Sequence, residues 1–339
     1  MIIALDAMGG DRAPHVNVEG AILAAEEYNV TVALVGDKEI ISGLLETYKG
    51  RPKRGSCVVV HAPEVVGMSE SPSVAIRKKK NSSMAVTLEL VKKGEADAAI
   101  SAGNSGAMMA FSMFALKRLP CVDRPAIVTV MPNTKSATVL LDAGANVEVK
   151  PQHLVQFAVM GSVYSSTLLD IKSPRVGVLS NGEEEEKGNE LTRETHELLK
   201  KTGLNYIGYV EGRDIFNGNA DVVVCDGFVG NIVLKVAEGV ANAITSILKE
   251  EVSRSILCKA GFLIAMPALK ALKKKVDYEE YGGAPLLGID GISIICHGSS
   301  SSYAIKNAIK YAMECVERKL NTILKVELER NIDLTTPKA

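Results

Sequence analysis

Short runs of valine, isoleucine, leucine and alanine alternate along the chain with longer segments of helical character. Several of the short runs are apolar throughout, which is typical of strands covered on both faces. Their alternation with helices indicates βαβ units and a mostly parallel sheet. Strands are predicted at residues 2–6, 31–35, 58–61, 98–101, 127–131, 138–142, 175–179, 206–210, 221–225 and 292–297. Helices are predicted at residues 16–28, 82–93, 105–117, 151–169, 191–202, 232–252 and 302–320.

This order of elements predicts the α/β class, arranged as three α/β/α layers. The chain has no linker-like composition and no short-period repeat. We therefore expect the chain to form one unit over residues 1–339. We also expect a protruding helical hairpin arm at about residues 250–280.

The composition narrows the class of protein. A hydrophobic fraction of 47% permits a large core, whereas 4% aromatic residues without Trp argue against a surface that stacks nucleic acid. The formal net charge of -1 provides no overall field for nucleic acid. The six cysteines lack a C-x-x-C pair and the five histidines lack metal spacing, so reduced cytosolic thiols and no metal are expected. The chain opens on a strand, so no signal peptide is expected.

Turns rich in glycine and small polar residues follow six of the predicted strands. They read DAMGGDRAP from residue 6, SAGNSGA from 101, DAGAN from 142, SNGEEEEKGNE from 180, CDGFVGN from 225 and HGSSSS from 297. In an open α/β sheet, ligands bind in the crevice beyond the carboxyl ends of the strands. We therefore expect the six turns to converge on one cleft.

The turn at residues 101–106 joins a buried strand to an apolar helix. Gly103 and Gly106 allow the backbone to turn tightly and to approach a ligand closely. Asn104 or Ser105 is placed to cap the helix. Because the unpaired N–H groups of a first helical turn attract anions, this turn predicts a site for phosphate or another small anion.

The usual nucleotide and nucleophile motifs are missing. There is no Walker A lysine motif, no G-x-G-x-x-G after the first strand and no G-x-S-x-G elbow. The turns offer backbone N–H groups, Asn amides and carboxylates, together with Arg12 and Lys187. Such groups are suited to holding a small anion and stabilising a developing oxyanion.

Polar residues of these turns also have ordinary structural interpretations. Asp11 and Asn104 each suit a helix cap as well as a ligand contact. Asn231 is placed to cap a helix that starts at Ile232, and Asp226 is placed to form an Asx turn. These alternatives stay open at the level of the residues.

Two further turn residues have a functional and a structural interpretation. Lys187 follows four glutamates, so it is either a solvated ion-pair partner or a cation that contacts the substrate. His297 ends a predicted strand, where it is either a structural hydrogen-bonding residue or a general acid. The residues alone do not decide between these roles.

Two basic stretches indicate contact with an acidic partner or an anionic membrane surface, the alternative being a solvated face. The first basic stretch is Arg77, Lys78, Lys79 and Lys80, and the second basic stretch is Lys270, Lys273, Lys274 and Lys275.

The second basic stretch lies in the segment 252–276, which is otherwise largely apolar. Leucines recur there at helical spacing, and Pro267 is expected to break or kink the helix. We expect an arm that packs against a second subunit or lies in the plane of a membrane surface. Its apolar positions are Leu263, Ile264, Leu269 and Leu272.

Taken together, these motifs resemble one family. DAMGGDRAP, RKKKNSSM, SAGNSGA, DAGAN, NGEEEEKGNEL, DVVVCDGFVGN, YGGAPLLG and HGSSSS occur in the order and spacing of the bacterial phosphate acyltransferases of phospholipid synthesis, the acyl-acyl carrier protein:phosphate acyltransferases. The resemblance spans residues 1–320. One visible departure is Ser105, where threonine is expected in many relatives, and both side chains carry a hydroxyl group.

The resemblance implies that inorganic phosphate and a fatty acyl thioester on acyl carrier protein give acyl phosphate and free carrier protein, without a cofactor. It implies a fold similar to that of isopropylmalate dehydrogenases and phosphotransacetylases. It also implies a cytoplasmic homodimer, peripheral to the membrane, that hands acyl phosphate to a membrane glycerol-3-phosphate acyltransferase.

At matching positions, the resemblance implies catalytic roles for Lys187 and Asn231. Lys187 would neutralise phosphate or the developing oxyanion, and Asn231 would donate a hydrogen bond to one of them. Because the carrier protein is acidic, the first basic stretch is the primary expected docking site. The resemblance assigns the surrounding pocket to Asp6, Gly9, Gly10, Asp11, Asn104, Ser105, Asp142, Asn146, Asp226 and His297.

Two other functions remain as alternatives. A decarboxylating nicotinamide-dependent dehydrogenase with the same sheet order needs an arginine-rich clamp and a cluster of metal-binding carboxylates, and neither is grouped in the turns. A module that binds anions or acyl ligands and acts as a membrane-surface scaffold accounts for the basic arm. It does not account for six polar turns at strand ends.

Overall fold

The computed structural model describes residues 1–48, 51–276 and 278–331. The side chains of Lys273 and Lys274, two members of the second basic stretch, lie outside the described part. The described residues form twelve strands and twelve α-helices. The strands are β1 Ile2–Asp6, β2 Thr31–Gly36, β3 Ser56–His61, β4 Ala98–Ser101, β5 Ala126–Ile127, β6 Thr129–Pro132, β7 Ala137–Leu141, β8 Val176–Leu179, β9 Tyr206–Val210, β10 Val222–Val224, β11 Ala284–Leu287 and β12 Ile292–Ile295.

The helices alternate with these strands through most of the chain. They are α1 His15–Tyr28, α2 Lys38–Thr47, α3 Pro72–Lys78, α4 Ser83–Lys92, α5 Ser105–Leu116, α6 Pro151–Leu168, α7 Glu190–Leu199, α8 Gly212–Asn217, α9 Gly227–Ser253, α10 Ile256–Val276, α11 Ser302–Glu317 and α12 Leu320–Arg330.

The predicted α/β class and every predicted strand and helix are confirmed, although the ends of the elements differ. The strand predicted at 127–131 is divided at Val128 into β5 and β6. The sequence pattern misses α2, α3, α8, α12 and β11. Helices α3 and α8 have seven and six residues, too few to show a helical period. Strand β11 contains Pro285, which argues against a strand in a sheet interior.

The strands form two sheets. The first sheet has the order β3-β2-β1-β4-β12-β11-β5, and the second has the order β6-β7-β10-β8-β9. Pairing is parallel except where β11 meets β12 and β5, and where β6 meets β7. Each sheet therefore has one edge at which the carboxyl ends of its parallel strands lie together.

These two edges meet at a short crossing segment, residues 126–132. Strand β5 pairs antiparallel with β11, so it runs in the direction of β12 and ends at Ile127. Strand β6 begins at Thr129, opposite Leu140 near the carboxyl end of β7. The carboxyl edges of the two sheets therefore lie on either side of Val128.

Helices cover both faces of the first sheet. Ile3, Ala4 and Leu5 of β1 are completely buried, because α4 packs on one side of the strand and α1 and α11 pack on the other. Helix α6 packs against β7 and β10 of the second sheet. Gly161 allows this close approach, since a Cβ there would lie 2.5 Å from Val222 Cγ1. Burial on both faces explains why the strands are continuously apolar.

The predicted arm is present but longer than expected. It consists of α9, with 27 residues, and α10, with 21 residues, which contact each other. In α9, Gly227 and Gly230 are buried, whereas the rest of the helix is largely exposed. Of the two expected effects of Pro267, a break or a kink, the break does not occur, because α10 continues through this residue.

Among the described helices, α9 is the one with the length and apolar composition to cross a membrane. Its first turn is packed against the second sheet, and charged side chains lie along its exposed length. Lys235 pairs with Glu238 at 2.8 Å, and Arg254 at its end pairs with Glu250 and Glu251. In this structure α9 is therefore the first helix of an exposed arm.

Candidate active site

The structure gathers the polar turns into two groups of contacting loops. The first loop group comprises residues 6–14, 101–106 and 297–301, which follow β1, β4 and β12 of the first sheet. The second loop group comprises residues 142–146 and 225–231, which follow β7 and β10 of the second sheet. Since the two carboxyl edges lie on either side of Val128, the loop groups face the same boundary between the sheets.

Hydrogen bonds between distant turns hold the first loop group together. Ser101 Oγ donates to Asp6 Oδ2 at 2.7 Å, and both residues are buried. The backbone N–H of Asp11 donates to Gly298 O at 2.8 Å. Arg12 Nη2 donates to Ser299 O at 2.6 Å. Three strand ends, far apart in sequence, are thus joined into one surface.

Two glycines of this group are required by the close approach of the turns. A Cβ at Gly9 would lie 2.6 Å from Asp6 Oδ2 and 2.8 Å from Gly103 N. Gly10 has a φ of +112°, which side-chain-bearing residues rarely adopt. The GG pair therefore permits the turn after β1 to pack directly on the turn after β4.

Asp6 is a structural centre of the first loop group. Burial raises the pKa of its carboxyl group above the ordinary value, and hydrogen bonds from Ser101 and from the backbone N–H of Met8 oppose that shift. Asp6 is only 1% exposed. Its role visible in the structure is to hold two turns in place beneath the surface that a ligand would contact.

The structure does not support Asp11 as a helix cap. The N-cap residue of α1 is Pro14, which has no side-chain cap. The carboxylate of Asp11 instead lies beside Gly298, where a Cβ would be 3.3 Å from Asp11 Oδ2. Asp11 therefore belongs to the exposed rim of the first loop group.

Asn104 is confirmed as the cap of α5, but it does more than cap. Its Oδ1 accepts from the N–H of Ala107 at 3.0 Å. Its Nδ2 donates to Met68 O at 2.8 Å and to Glu70 O at 2.9 Å. Both ends of the amide are engaged, so Asn104 positions the segment 64–70 over the start of α5. The sequence gives no sign of these contacts, because they join residues more than 30 positions apart.

Ser105 and Gly106 form the beginning of α5 next to this cap, where Ser105 is exposed and Gly106 is half-buried. Gly106 lies beside α3, since a Cβ there would be 3.1 Å from Pro72 Cγ. The first turn of α5 is thereby held between α3 and the first loop group, with its free N–H groups at the carboxyl edge of the sheet.

Lys79 of the first basic stretch has a structural role. Its Nζ donates to Val65 O at 2.6 Å and pairs with Glu70 Oε2 at 2.7 Å. This pair anchors the segment 64–70 at a second point. Arg77, Lys78 and Lys80 are exposed, so they are the members of the stretch that present charge to solvent.

His297 lies at the start of the turn after β12. Its Nδ1 lies 2.8 Å from Ser299 Oγ and 3.2 Å from the backbone N of Ser299. The contact favours the structural interpretation of this histidine. The same turn leads into α11, where Ser301 accepts a hydrogen bond from the N–H of Ala304.

Asp142 is the centre of the second loop group. Its Oδ1 accepts from the N–H groups of Ile127, Gly144 and Ala145. Its Oδ2 accepts from the backbone N and the side-chain Nδ2 of Asn146, at 2.6 and 2.9 Å. Burial raises the pKa of this carboxyl group, against the effect of its donors. Asp142 thus shapes the DAGAN turn and fixes it to β5.

The helix that follows β10 begins earlier than predicted. Asp226 caps it by accepting from the N–H of Val229 at 2.9 Å, and the first helical residue is Gly227. Asn231 therefore lies in the second turn of α9, so the expectation that it caps a helix from Ile232 is wrong. A longer helix forms because residues 227 and 230 are glycines that can pack on the neighbouring turn.

Glycines bring the start of α9 against the DAGAN turn. The N–H of Gly227 donates to Asn146 O at 2.7 Å. A Cβ at Gly230 would be 1.9 Å from Asp142 O. On the next residue, Asn231 Cβ is 3.5 Å from the position of a Cβ on Gly144. Asn231 therefore faces the DAGAN turn at the carboxyl edge of the second sheet.

Lys187 lies in the exposed loop between β8 and α7. Two of the four preceding glutamates pair elsewhere, Glu183 with Arg213 and Glu185 with Lys200. Within the residues that the structure describes, Lys187 forms no ion pair. Because β8 lies beside β10 and is parallel to it, this loop leaves the same edge as α9. Among the described residues, no hydrogen bond or ion pair joins the Lys187 side chain to either loop group.

Asn17 is an organising residue that sequence reasoning missed. It is completely buried on α1, and its Nδ2 donates to Ala7 O at 3.0 Å and Gly9 O at 2.9 Å. It thereby holds the turn after β1 from below. An asparagine two residues into a helix gives no such signal in the sequence.

In the described part of the chain, no three His, Cys, Asp or Glu side chains are grouped so as to hold a metal ion. The two loop groups instead present backbone N–H groups, amides and the starts of three helices, α5, α9 and α11. Such a surface is suited to binding an anion.

The fold defines a class of protein. The solved structure of a phosphotransacetylase from Streptococcus pyogenes matches this chain with a TM-score of 0.62 and 20% identity, covering 94% of both chains. At this identity the likeness shows the fold, which is the α/β arrangement of phosphotransacetylases.

Sequence comparisons are more specific. A family model described as fatty acid synthesis protein matches residues 1–323. The phosphate acyltransferase of Geotalea daltonii is 55% identical over 334 residues, 98% of this chain and 96% of that protein. The phosphate acyltransferase of Syntrophotalea carbinolica is 56% identical over 328 residues, 97% of this chain and 94% of that protein. The chain belongs to this fatty acid synthesis protein family, with curated phosphate acyltransferases among its members.

Proposed function

We infer that this chain is a phosphate acyltransferase, an enzyme that transfers a fatty acyl group to inorganic phosphate and gives acyl phosphate for phospholipid synthesis. The observation that carries this inference is the pair of loop groups at the meeting edges of the two sheets, in a chain 55% identical to a phosphate acyltransferase. The starts of α5, α9 and α11 supply donors for an anion there. The dehydrogenase and the scaffold alternatives are not favoured by the relatives.

The reaction requires little covalent chemistry from the protein. A phosphate oxygen attacks the thioester carbonyl carbon, the new O–C bond forms, the C–S bond breaks, and the thiolate leaves and takes up a proton. Phosphate is itself the nucleophile, so the protein has to hold it against the carbonyl group. This requirement agrees with a site built from turns and helix starts.

Lys187 and Asn231 are our proposed catalytic residues. Lys187 would neutralise the charge on phosphate or on the developing oxyanion, for which its ammonium group is available. Asn231, beside the DAGAN turn, would donate to the same oxyanion. Losing one such donor typically lowers turnover about 100- to 1,000-fold.

A direct assay tests the function. The purified chain is incubated with hexadecanoyl-acyl carrier protein and inorganic phosphate, and acyl phosphate is trapped as the hydroxamate. We expect hydroxamate only when both substrates are present. A chain that binds the thioester but yields no hydroxamate with phosphate would be a binding protein and not this enzyme.

We propose acyl carrier protein as the donor of the acyl group, docked on Arg77, Lys78 and Lys80. The carrier is acidic, and these three side chains are exposed. Lys78→Glu should raise KM for the carrier thioester at low salt while phosphate KM stays unchanged. Lys53→Glu is the control, since Lys53 is exposed and precedes β3 at the opposite edge of the sheet. Equal effects of the two substitutions would exclude this docking site.

We also propose that residues 1–339 act as one catalytic unit whose arm serves a homodimer and a peripheral contact with membrane lipid. Leu263 and Ile264 are 69% and 83% exposed, Leu272 is exposed and Leu269 is half-buried. An apolar surface of this kind favours a partner or a lipid surface. Two measurements on Ile264→Asp and on wild type separate these two roles. Sedimentation reports the homodimer, and flotation with anionic vesicles reports the contact with lipid.

A cytoplasmic site of action follows from the same proposal. The six cysteines are free thiols in this structure, which agrees with a reducing compartment. From there, acyl phosphate would pass to a membrane glycerol-3-phosphate acyltransferase. Cell fractionation with and without the Ile264→Asp substitution tests the membrane association in the cell.

A further inference from the structure

The loop that carries Lys187 is closed on itself by a side chain. It begins after β8, where the N–H of Ser180 donates to Val210 O at 2.8 Å, and it leads to α7. Near its other end, the N–H of Gly188 donates to Asn181 Oδ1 at 2.9 Å. The end of the loop is thus tied to its beginning. We call residues 181–188 the lysine loop.

The lysine loop fixes the backbone of Lys187 from both sides. The N–H of Gly188 belongs to the peptide group that follows Lys187 in the chain, so Asn181 holds the peptide group directly after the lysine. The N–H of Lys187 itself donates to Glu184 O at 3.0 Å. Both peptide groups that flank the Cα atom of Lys187 are therefore hydrogen-bonded within the loop, and this limits the movement of that atom.

The stem of the Lys187 side chain lies on a glycine. A Cβ on Gly182 would be 2.8 Å from Lys187 Cγ and 3.2 Å from Lys187 Cδ, both closer than the usual separation of packed carbon atoms. Gly182 is buried, whereas Lys187 is exposed. A free lysine side chain samples many rotamers, so contact along its stem restricts the directions that the ammonium group can take.

The end of the lysine loop packs on a helix. Gly188 has a φ of +82°, which side-chain-bearing residues rarely adopt, and a Cβ there would collide with Thr192 Oγ1. Thr192 lies in the first turn of α7, and its N–H donates to Asn189 Oδ1 at 2.9 Å. The peptide group that Asn181 holds is therefore set against the capped start of a helix.

These contacts order the lysine and add little to the core. Asn181 and Lys187 are both exposed. Among the described residues, the hydrogen bonds of the Asn181 side chain are to Ser180 and Gly188, inside the same loop. A cation that stabilises charge in a transition state is most effective when its position is set before the reaction. The loop provides such an arrangement for Lys187.

We propose that Asn181 is a positioning residue for acyl transfer, which acts through the lysine loop by fixing the place and direction of the Lys187 ammonium group. This inference rests on the proposed function and adds the residue that holds the proposed catalytic lysine. Asn181 itself touches neither phosphate nor the thioester. A displacement of about 1 Å at a reacting group can lower the rate about 100-fold, so loss of the Asn181 acceptor should be visible in turnover.

The first test measures turnover and stability together. Asn181→Ala should lower kcat in the hydroxamate assay about 10- to 100-fold, while KM for the carrier thioester and the melting temperature stay unchanged. Asn205→Ala is the matched control, because Asn205 is also exposed and its side chain also makes one hydrogen bond to backbone, to Ser173 O at 3.0 Å. Asn205 precedes β9, at the opposite edge of the sheet. Equal kcat values for the two variants would overturn the proposal.

A double-mutant cycle shows whether Asn181 acts through Lys187. In a chain that already carries Lys187→Ala, adding Asn181→Ala should lower kcat by less than about 2-fold, since the effects of residues that act as one unit are not additive. An equal loss in both backgrounds would show that Asn181 acts independently of the lysine, as a residue in contact with the substrate would. That result would overturn the proposal.

Gly182 provides a second variant that acts on the same lysine. Gly182→Ala should push the Lys187 stem aside and lower kcat, again only while Lys187 is present. Gly203→Ala is its control, because Gly203 is exposed and a Cβ there would meet no atom within 4 Å. Turnover of Gly182→Ala equal to that of the control would refute the positioning of Lys187 by its loop.

Hydrogen exchange tests the Asn181 contact without turnover. Peptides that contain Gly188 should exchange faster in Asn181→Ala than in wild type. Asn181→Asp should keep the wild-type exchange, because a carboxylate also accepts a hydrogen bond. Unchanged exchange in Asn181→Ala would show that Asn181 does not hold this peptide group, and the proposal would be wrong.

These measurements separate the inference from the proposed function. If wild type forms no acyl phosphate, the function fails and the inference fails with it. If wild type is active and Lys187→Ala is equally active, the function stands and the inference is overturned. A large loss in Lys187→Ala, with no further loss on adding Asn181→Ala, supports both.

Discussion

Asp142→Asn is expected to damage both the stability and the activity of this protein. In the wild type one carboxylate oxygen accepts three backbone N–H groups, and the other accepts two N–H groups from Asn146. The substitution replaces one oxygen by an NH2 group, which donates and does not accept. Whichever way the new amide is oriented, at least two donors lose their acceptor.

The magnitude follows from the burial of these groups. Asp142 is completely buried, but Ala145 and Asn146 are half-buried and Gly144 is exposed, so water reaches some of the donors that lose the carboxylate. An unsatisfied buried donor costs about 1–3 kcal/mol, and we expect the lower end of this range, about 2 kcal/mol for two donors. Typical domains unfold with a free energy of about 5–15 kcal/mol, so a measurable part of the stability would be lost.

Urea denaturation followed by circular dichroism measures this loss. Asp170→Asn is the control, because Asp170 is 75% exposed and pairs with Arg318 at the surface, where ion pairs contribute little. The activity should fall as well, since the DAGAN turn carries Asn146, which binds the start of α9. A midpoint for Asp142→Asn equal to that of the control would refute this account of the turn.

Three further outcomes are expected. Lys187→Ala should lower kcat/KM about 100- to 1,000-fold without changing the melting temperature, because the side chain is exposed; a near-normal rate in the hydroxamate assay would remove it from the mechanism. Asp6→Asn should gain stability relative to wild type as the pH rises above about 4, the ordinary pKa of a carboxyl group. Burial raises the folded-state pKa of Asp6, so the unfolded chain loses this proton first and the wild type loses stability as the pH rises toward the folded-state pKa. Equal differences between the urea midpoints of the two proteins at low and at neutral pH would contradict this. Lys79→Met should release the segment 64–70, detected as faster amide exchange at Gly67, whereas Lys80→Met should leave that exchange unchanged.

The pattern of apolar and polar residues determined the elements of this protein and most of their order. Continuous apolar runs such as Ala98–Ser101 predict strands buried on both faces, and β4 is buried in this way. The polar turns after the strands are also visible in the sequence. Their position at one edge follows from parallel pairing, because parallel strands end on the same side of a sheet.

Only the tertiary structure decided what each polar residue does. The division at Val128 depends on which strands pair, and it separates the turns into two loop groups. Asn231 belongs to the second turn of α9 and not to its cap, because Gly227 and Gly230 let the helix start against the DAGAN turn.

The contacts of Lys79 and Asn104 illustrate the same limit. A lysine in a basic stretch suggests a free charge, yet Lys79 pairs with Glu70 and binds Val65 O. An asparagine before a helix suggests a cap, and Asn104 also holds the segment 64–70. Periodicity is a local property that is set by the geometry of helix and strand, so the sequence shows it directly. Hydrogen-bond partners are selected by the packing of segments distant in the chain, and that selection exists only after folding.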